Sequence, residues 1–130
     1  MATLTESQAR MFTEPYYAVA TTVRPDGSPQ STVVWVDYDG ENVIFNTAEG
    51  RAKPRHIRAN PNVSVTVVDP EDAYRWIAVS GPAEVTEEGA SEHINELAHK
   101  YWGRDYNLPA GQQRLIVRVK PQRVTAYGLD

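Results

Sequence analysis

The chain has 130 residues, 41% of them hydrophobic and 23% charged, with a net charge of −4 and no cysteine. This length suits one domain spanning 1–130. The missing cysteine excludes disulfides, thiolate nucleophiles and Cys-ligated zinc or iron–sulfur centres, and the acidity argues against a general nucleic-acid-binding surface. A pocket for a large ligand would take up much of so small a core, so a dimer that shares its pocket is expected. Met1 to Gln8 lacks the basic and apolar regions of a secretory signal. The longest apolar run, Val33-Val34-Trp35-Val36, is far too short to span a membrane. A cytoplasmic location is therefore expected.

Thr5-Glu6-Ser7-Gln8 predicts a capping box and a short helix as far as Phe12, ended by Glu14-Pro15. Residues 17–23 read as a strand, and Pro25-Asp26-Gly27-Ser28 as a turn. A second strand follows over 29–38, a tight hairpin at Asp39-Gly40, and a third strand over 42–47. A basic helix is predicted for 52–59, stopped by Asn60-Pro61-Asn62. Residues 63–69 alternate as a strand. Pro70-Glu71-Asp72 is an acidic loop, and 76–86 is a long strand with a bulge or edge at Gly81-Pro82. The longest helix covers 90–102, with Ile94, Leu97, Ala98 and Tyr101 on one stripe, and Gly103 ends it. After a loop over 103–113, residues 114–127 form the last strand. Six strands joined largely by short turns, with three helices, predict a mainly β fold: an antiparallel, closed or nearly closed barrel with flanking helices.

Little in the chain points to acid–base, nucleophilic or metal chemistry. No Gly-x-Ser-x-Gly elbow is present. His93 and His99 lie about 240° apart on a helix, so they share no face, and both read as solvated helix surface. Asp37, Asp39, Glu87 and Glu88 read as turn formers and solubilising charges. Arg118, Lys120 and Arg123 fit the exposed face of a strand. Arg51-Ala52-Lys53-Pro54-Arg55-His56-Ile57-Arg58 is different. It holds four of the thirteen Lys and Arg residues, and residues 62–98 just beyond it carry eight acids and one base. A strand ending in Asn46 and Thr47, a Gly50 break and a basic helix start together suit an anion, because amides at a helix N-terminus point outward unpaired. Arg51 and Lys53 stand at that entrance, and Gln30 and Thr32 project to one side of a neighbouring strand. A solvated basic helix face accounts for the same pattern, and both readings stand. Tyr74 and Trp76, around Arg75, form a second candidate, for flanking a planar ring or for an interface.

Several motifs carry a family resemblance: Ser28-Pro29-Gln30-Ser31-Thr32-Val33-Val34-Trp35, then Phe45-Asn46-Thr47-Ala48-Glu49-Gly50-Arg51-Ala52-Lys53, then Ile57 to Val65, Ile77 to Ala83 and Val124 to Gly128. Across nearly its whole length the chain resembles the pyridoxamine 5′-phosphate oxidase-like split-barrel family, a six-stranded antiparallel barrel of the FMN-binding split-barrel type. Within it, the chain is most similar to the short subgroup that uses coenzyme F420, an 8-hydroxy-5-deazaflavin.

That resemblance implies a homodimer with two cofactor sites at its interface. It implies that Arg51 and Lys53, with Ala52 between them, hold the cofactor phosphate. Gln30 and Thr32, flanking Ser31, would approach the ring or ribityl chain, as would Asn46 and Thr47 at their strand end, with Tyr74 reaching in from the second subunit. Arg55 and Arg58 would follow the polyglutamate tail, and His56 stays at the surface. The implied activity is hydride transfer from the reduced deazaflavin to an enone, quinone or tetrapyrrole-like acceptor. No residue stands out as an essential acid or base. FMN in place of F420, or a non-enzymatic carrier of either, is the alternative. A nucleic-acid-binding barrel is disfavoured by the acidity.

Overall fold

A computed structural model describes residues 3–130. In chain order the elements are α1 (Glu6–Thr13), β1 (Ala18–Val23), β2 (Pro29–Val34), β3 (Val36–Tyr38), β4 (Val43–Ala48), α2 (Ala52–Ala59), β5 (Asn62–Asp69), β6 (Asp72–Thr86), α3 (Ala90–Trp102), β7 (Arg114–Val119) and β8 (Arg123–Tyr127). The capping box forms: the Gln8 amide donates to the Thr5 hydroxyl at 3.2 Å, and the Thr5 amide donates to Gln8 Oε1 at 3.0 Å. Two orphan donors of α1 are thereby satisfied.

All strand pairs are antiparallel. The hydrogen-bonded path runs β2-β1-β5-β6-β7-β4-β3, with β8 added to β6. The two ends of that path, β2 and β3, are separated in the chain by Trp35 alone. The sheet therefore curls until its edges meet at a covalent link instead of a ladder. This is a split barrel, mainly β, with helices at its flanks.

Two of the six predicted strands are each divided, which makes eight. Residues 29–38 pair with β1 as far as Val34 and with β4 from Val36 onward. Residues 114–127 bend at 120–122: β7 pairs with β4 and the end of β6, and β8 pairs with the earlier part of β6. β6 is 15 residues long and serves both halves, changing partners at Gly81-Pro82.

The core fills the barrel. Ala18, Ala20, Phe45, Val65, Val67, Ile77, Val79, Val117 and Val119 are its inward positions, and Met11 and Phe12 of α1 plug one end. Full burial of Phe12 stabilises the plug by about 1.5–3 kcal/mol. α2 packs against β1 and β6, and α3 lies outside against β4 and β7. His56 is not at the surface: it is buried under α2, with Nδ1 3.0 Å from the Thr22 hydroxyl. The helix turns His56 and Ile57 together toward the barrel. Among the described residues no helix is long and apolar enough to cross a membrane.

Candidate functional site

The site forms where α2, α3 and the β2–β3 crossing meet. Residues 43, 45 and 117 of β4 and β7 point into the barrel, so Asn46, Arg114 and Ile116 point outward toward α3. Arg114 is paired across from Ala48, beside the Gly50 turn that leads into α2. Arg51 is the N-cap of α2 and makes no side-chain cap bond. Pro54, in the first turn, has no amide to donate. No side chain caps the first amides of this helix, a start that suits an anion.

A cavity of about 290 Å³ opens at this junction. Its polar lining consists of Asn46, Arg51, Lys53 and Arg114, with no carboxylate. Its apolar lining is Val33, Val34, Ile94 and Leu97, together with the aromatic rings of Tyr17, Trp35, Trp102 and Tyr106. Trp102 meets Trp35 edge-on at 4.6 Å and stacks with Tyr106 at 6.3 Å. Burial, and secondly the neighbouring Arg51 charge, hold the Lys53 ammonium below the ordinary lysine value. Desolvation likewise lowers Arg114, against the opposing pull of Tyr106 and with a smaller contribution from Arg51. An anion entering here would relieve both effects.

Of the residues singled out from sequence, Asn46, Arg51 and Lys53 line this cavity. Thr32 joins them through Lys53, whose Nζ donates to the Thr32 hydroxyl at 3.0 Å. Gln30 lies on the same face of β2, half-buried, with Oε1 sealed and without a partner among the described residues. Ala52 is half-buried at the first helical position. Ser31 faces the other way, exposed, and shares a 2.8 Å hydrogen bond with Thr21. Thr47 is fully buried on the opposite side of β4 from Asn46, and its hydroxyl has no partner among the described residues. Tyr74 is 76% exposed and lies outside the cavity lining of this chain. Arg58 is occupied by Glu49 in a two-pronged ion pair of 2.6 and 2.9 Å, while Arg55 is exposed.

A family model described as pyridoxamine 5′-phosphate oxidase matches residues 4–128. The chain belongs to the pyridoxamine 5′-phosphate oxidase family. Among solved structures it is similar to a protein named F420 reductase, with 31% identity over 94% of this chain and 98% of that one, and a TM-score of 0.83. A conserved hypothetical protein of Mycobacterium tuberculosis shares the fold at 21% identity, covering 95% and 84% of the two chains with a TM-score of 0.74. HupZ of Group A Streptococcus does so at 19% identity, covering 95% and 93%, with a TM-score of 0.71.

Within this family member, the residue that sequence reading missed is Arg114. Its parity with Ile116 was visible, but an arginine at a strand start reads as solvated until α3 is placed over it. His93 was misplaced for the same reason. It is buried, not solvated, and its Nδ1 accepts from Asn46 Nδ2 at 3.0 Å. Leu97, four residues on, marks that face as inward. His99 does stay exposed, paired with Asp105 at 2.6 Å. Among the described residues no group of three or more His, Asp or Glu is placed to hold a metal ion.

Burial pushes His93 down from 6.5 to about 4, against the opposing pull of Asp37. The unfolded chain therefore takes up a proton near pH 6.5 that the folded chain refuses until about pH 4. Protons favour the unfolded state in that window, and about 3 kcal/mol of stability is lost as pH falls through it. Urea melts at steps between those pH values should show this slope in the native protein. In His93→Gln, which keeps an acceptor for Asn46, the slope should flatten. An equal slope in both would exclude His93 as its source.

Proposed function

We propose that this chain is an oxidoreductase that binds coenzyme F420 and delivers hydride to an unsaturated small molecule such as an enone, quinone or tetrapyrrole. The observation that carries the reading is the pair Arg51 and Lys53, at an uncapped helix start, opening on an aromatic-walled cavity without a carboxylate. Such a donor set fits a ligand that joins a phosphate to a planar ring. The likeness to a protein named F420 reductase points the same way.

When bound, the reduced deazaflavin supplies the hydride, and a proton from solvent completes the saturated bond. The chain's own part is to bind and orient. Arg51 presents a fork and Lys53 a point charge, the latter aimed by Thr32. Trp35, Trp102 and Tyr106 line the cavity and would help exclude solvent from a bound ring. The family match favours a second reading, in which FMN occupies the same cradle. Titration of the purified protein with F420 and with FMN, followed by fluorescence, tests the two. Tighter binding of FMN would overturn the deazaflavin reading. Oxidation of reduced F420 on addition of cyclohexenone or menadione separates an enzyme from a carrier.

We propose further that the active unit is a homodimer. On the outer face of the sheet, Val19 stands between Val33 and Thr66, and Trp76 between Val68 and Tyr127. Val33 is 67% and Tyr127 59% exposed on this face, and an apolar patch of this kind marks an interaction surface. Tyr17 borders both this face and the cavity, so a second copy seated here would bring its own residues, Tyr74 among them, toward the ligand. Light scattering should give twice the chain mass, and Val33→Glu should shift it to the monomer. A monomeric native protein would overturn this.

A further inference from the structure

Arg114 is a buried cation without a counter-ion. It is 5% exposed, and among the described residues no carboxylate lies within ion-pair distance of it. Its Nε donates to Asn46 Oδ1 at 2.8 Å, and its Nη1 donates to Gln112 Oε1 at 3.0 Å. Nη2 has no protein acceptor among the described residues, and it is not sealed from the cavity that Arg114 lines. A desolvated guanidinium left in this condition costs free energy unless a ligand completes it.

Asn46 is committed to holding this arginine. Because Oδ1 accepts from Arg114, the amide nitrogen must face the other way. It donates there to the Ala90 carbonyl and to His93 Nδ1, each at 3.0 Å. Both of its N–H bonds are used, so Asn46 is a positioning residue for Arg114, with no donor left for a ligand.

Lys53 and Arg114 are tied to different walls. Lys53 is drawn toward β2 by Thr32, and Arg114 toward Asn46 of β4 and Gln112 of the loop before β7. Arg51 lines the same cavity and lowers both of them. Tyr106 lies 5.3 Å from the Arg114 guanidinium, so an aromatic face borders Arg114.

We propose that Arg114 is the anchor for a second anion, a carboxylate carried by a planar conjugated acceptor, distinct from the phosphate held at Arg51 and Lys53. This rests on the deazaflavin reading for the identity of the first anion. The acceptor's carboxylate takes the open edge of the guanidinium, and its conjugated plane lies along Tyr106 and Trp102.

The test compares cinnamate with methyl cinnamate by tryptophan-fluorescence titration, with and without F420, alongside F420 affinity measured on the same proteins. The native protein should bind the acid at least about 10-fold more tightly than the ester. Arg114→Gln should erase that preference and change F420 affinity by less than about 3-fold, below the loss of a charge-assisted bond. Gln112→Glu, which keeps the acceptor for Nη1 and neutralises Arg114 in place, should erase it too and covers the case in which Arg114→Gln fails to fold. No preference in the native protein, or a preference that survives in both variants, overturns the proposal. So does a large loss of F420 affinity in Arg114→Gln, which would assign the arginine to the cofactor instead. If the native protein does not bind F420, the deazaflavin reading fails. The acid–ester comparison on the unloaded protein then still decides the role of Arg114.

Discussion

Replacing Arg51 and Lys53 together with alanine should weaken F420 binding by at least about 100-fold, because each charge-assisted contact to a phosphate is worth about 1.5–3 kcal/mol. The two contributions differ in kind. Arg51 is exposed, so water and salt screen it, and its single substitution should have the smaller effect. Lys53 is half-buried and already destabilised by desolvation and by Arg51, so a phosphate gains more from it in the lower local dielectric. Lys53→Ala also leaves the Thr32 hydroxyl without the donor that ties β2 to α2. Fluorescence titration at two salt concentrations measures both effects, and the native protein should show the steeper loss with salt. The unloaded melting temperature should hardly fall, since removing two uncompensated like charges costs the fold little. Unchanged affinity in the double variant would remove the basis of the proposed function.

The barrel was legible because its strands keep one face dry. Val63, Val65 and Val67 alternate with Ser64 and Thr66, and the inward set is the buried set. The helix start at Thr5 was legible because a capping box is local chemistry. The bend at Trp35 was not. Burial alternates straight through Val34, Trp35 and Val36, so the side-chain pattern of one strand continues while its hydrogen-bond partner changes. Arg51 and Lys53 could be found from sequence because an N-terminal helix turn fixes their position relative to each other. Arg114 and His93 could not, because their burial depends on where α3 docks, a tertiary fact that leaves only parity as a trace. Asn46 and Thr47 show the limit from the other side. Neighbours in a strand face opposite ways, so one lines the cavity and the other is enclosed. A family motif that spans both does not separate their roles, whereas strand geometry does.

Gly81 should not accept a larger residue, and the reason is topological. β6 leaves β5 and β8 and takes up β7 at this point, so the bend between β7 and β8 must pass close over its backbone. A Cβ built on Gly81 would meet the Lys120 carbonyl oxygen well inside contact distance, and it would crowd Gln122 at 3.1 Å. The obstacle is backbone, held on both sides. The Lys120 amide donates to the Pro82 carbonyl, and the Gln122 amide to the Ser80 carbonyl, each at 3.0 Å. Neither strand can retreat without breaking these bonds, so a single methyl group opens the crossing that joins the two halves of the barrel. Gly81→Ala should therefore cost about 3 kcal/mol or more, at the upper end for overpacking. For a chain of this size that lowers the melting temperature by about 10 °C. Gly27→Ala is the matching control: it sits in an open turn at φ +87° with nothing near its Cβ, and it bears only the strain of positive φ. Thermal melts of the two variants should separate clearly, with Gly81→Ala much the lower. Equal melting temperatures would mean that the crossing is looser than its hydrogen bonds imply. The same crossing supports β7, which carries Arg114, so F420 binding and the acid preference should fall together in Gly81→Ala, whereas Arg114→Gln should affect only the second.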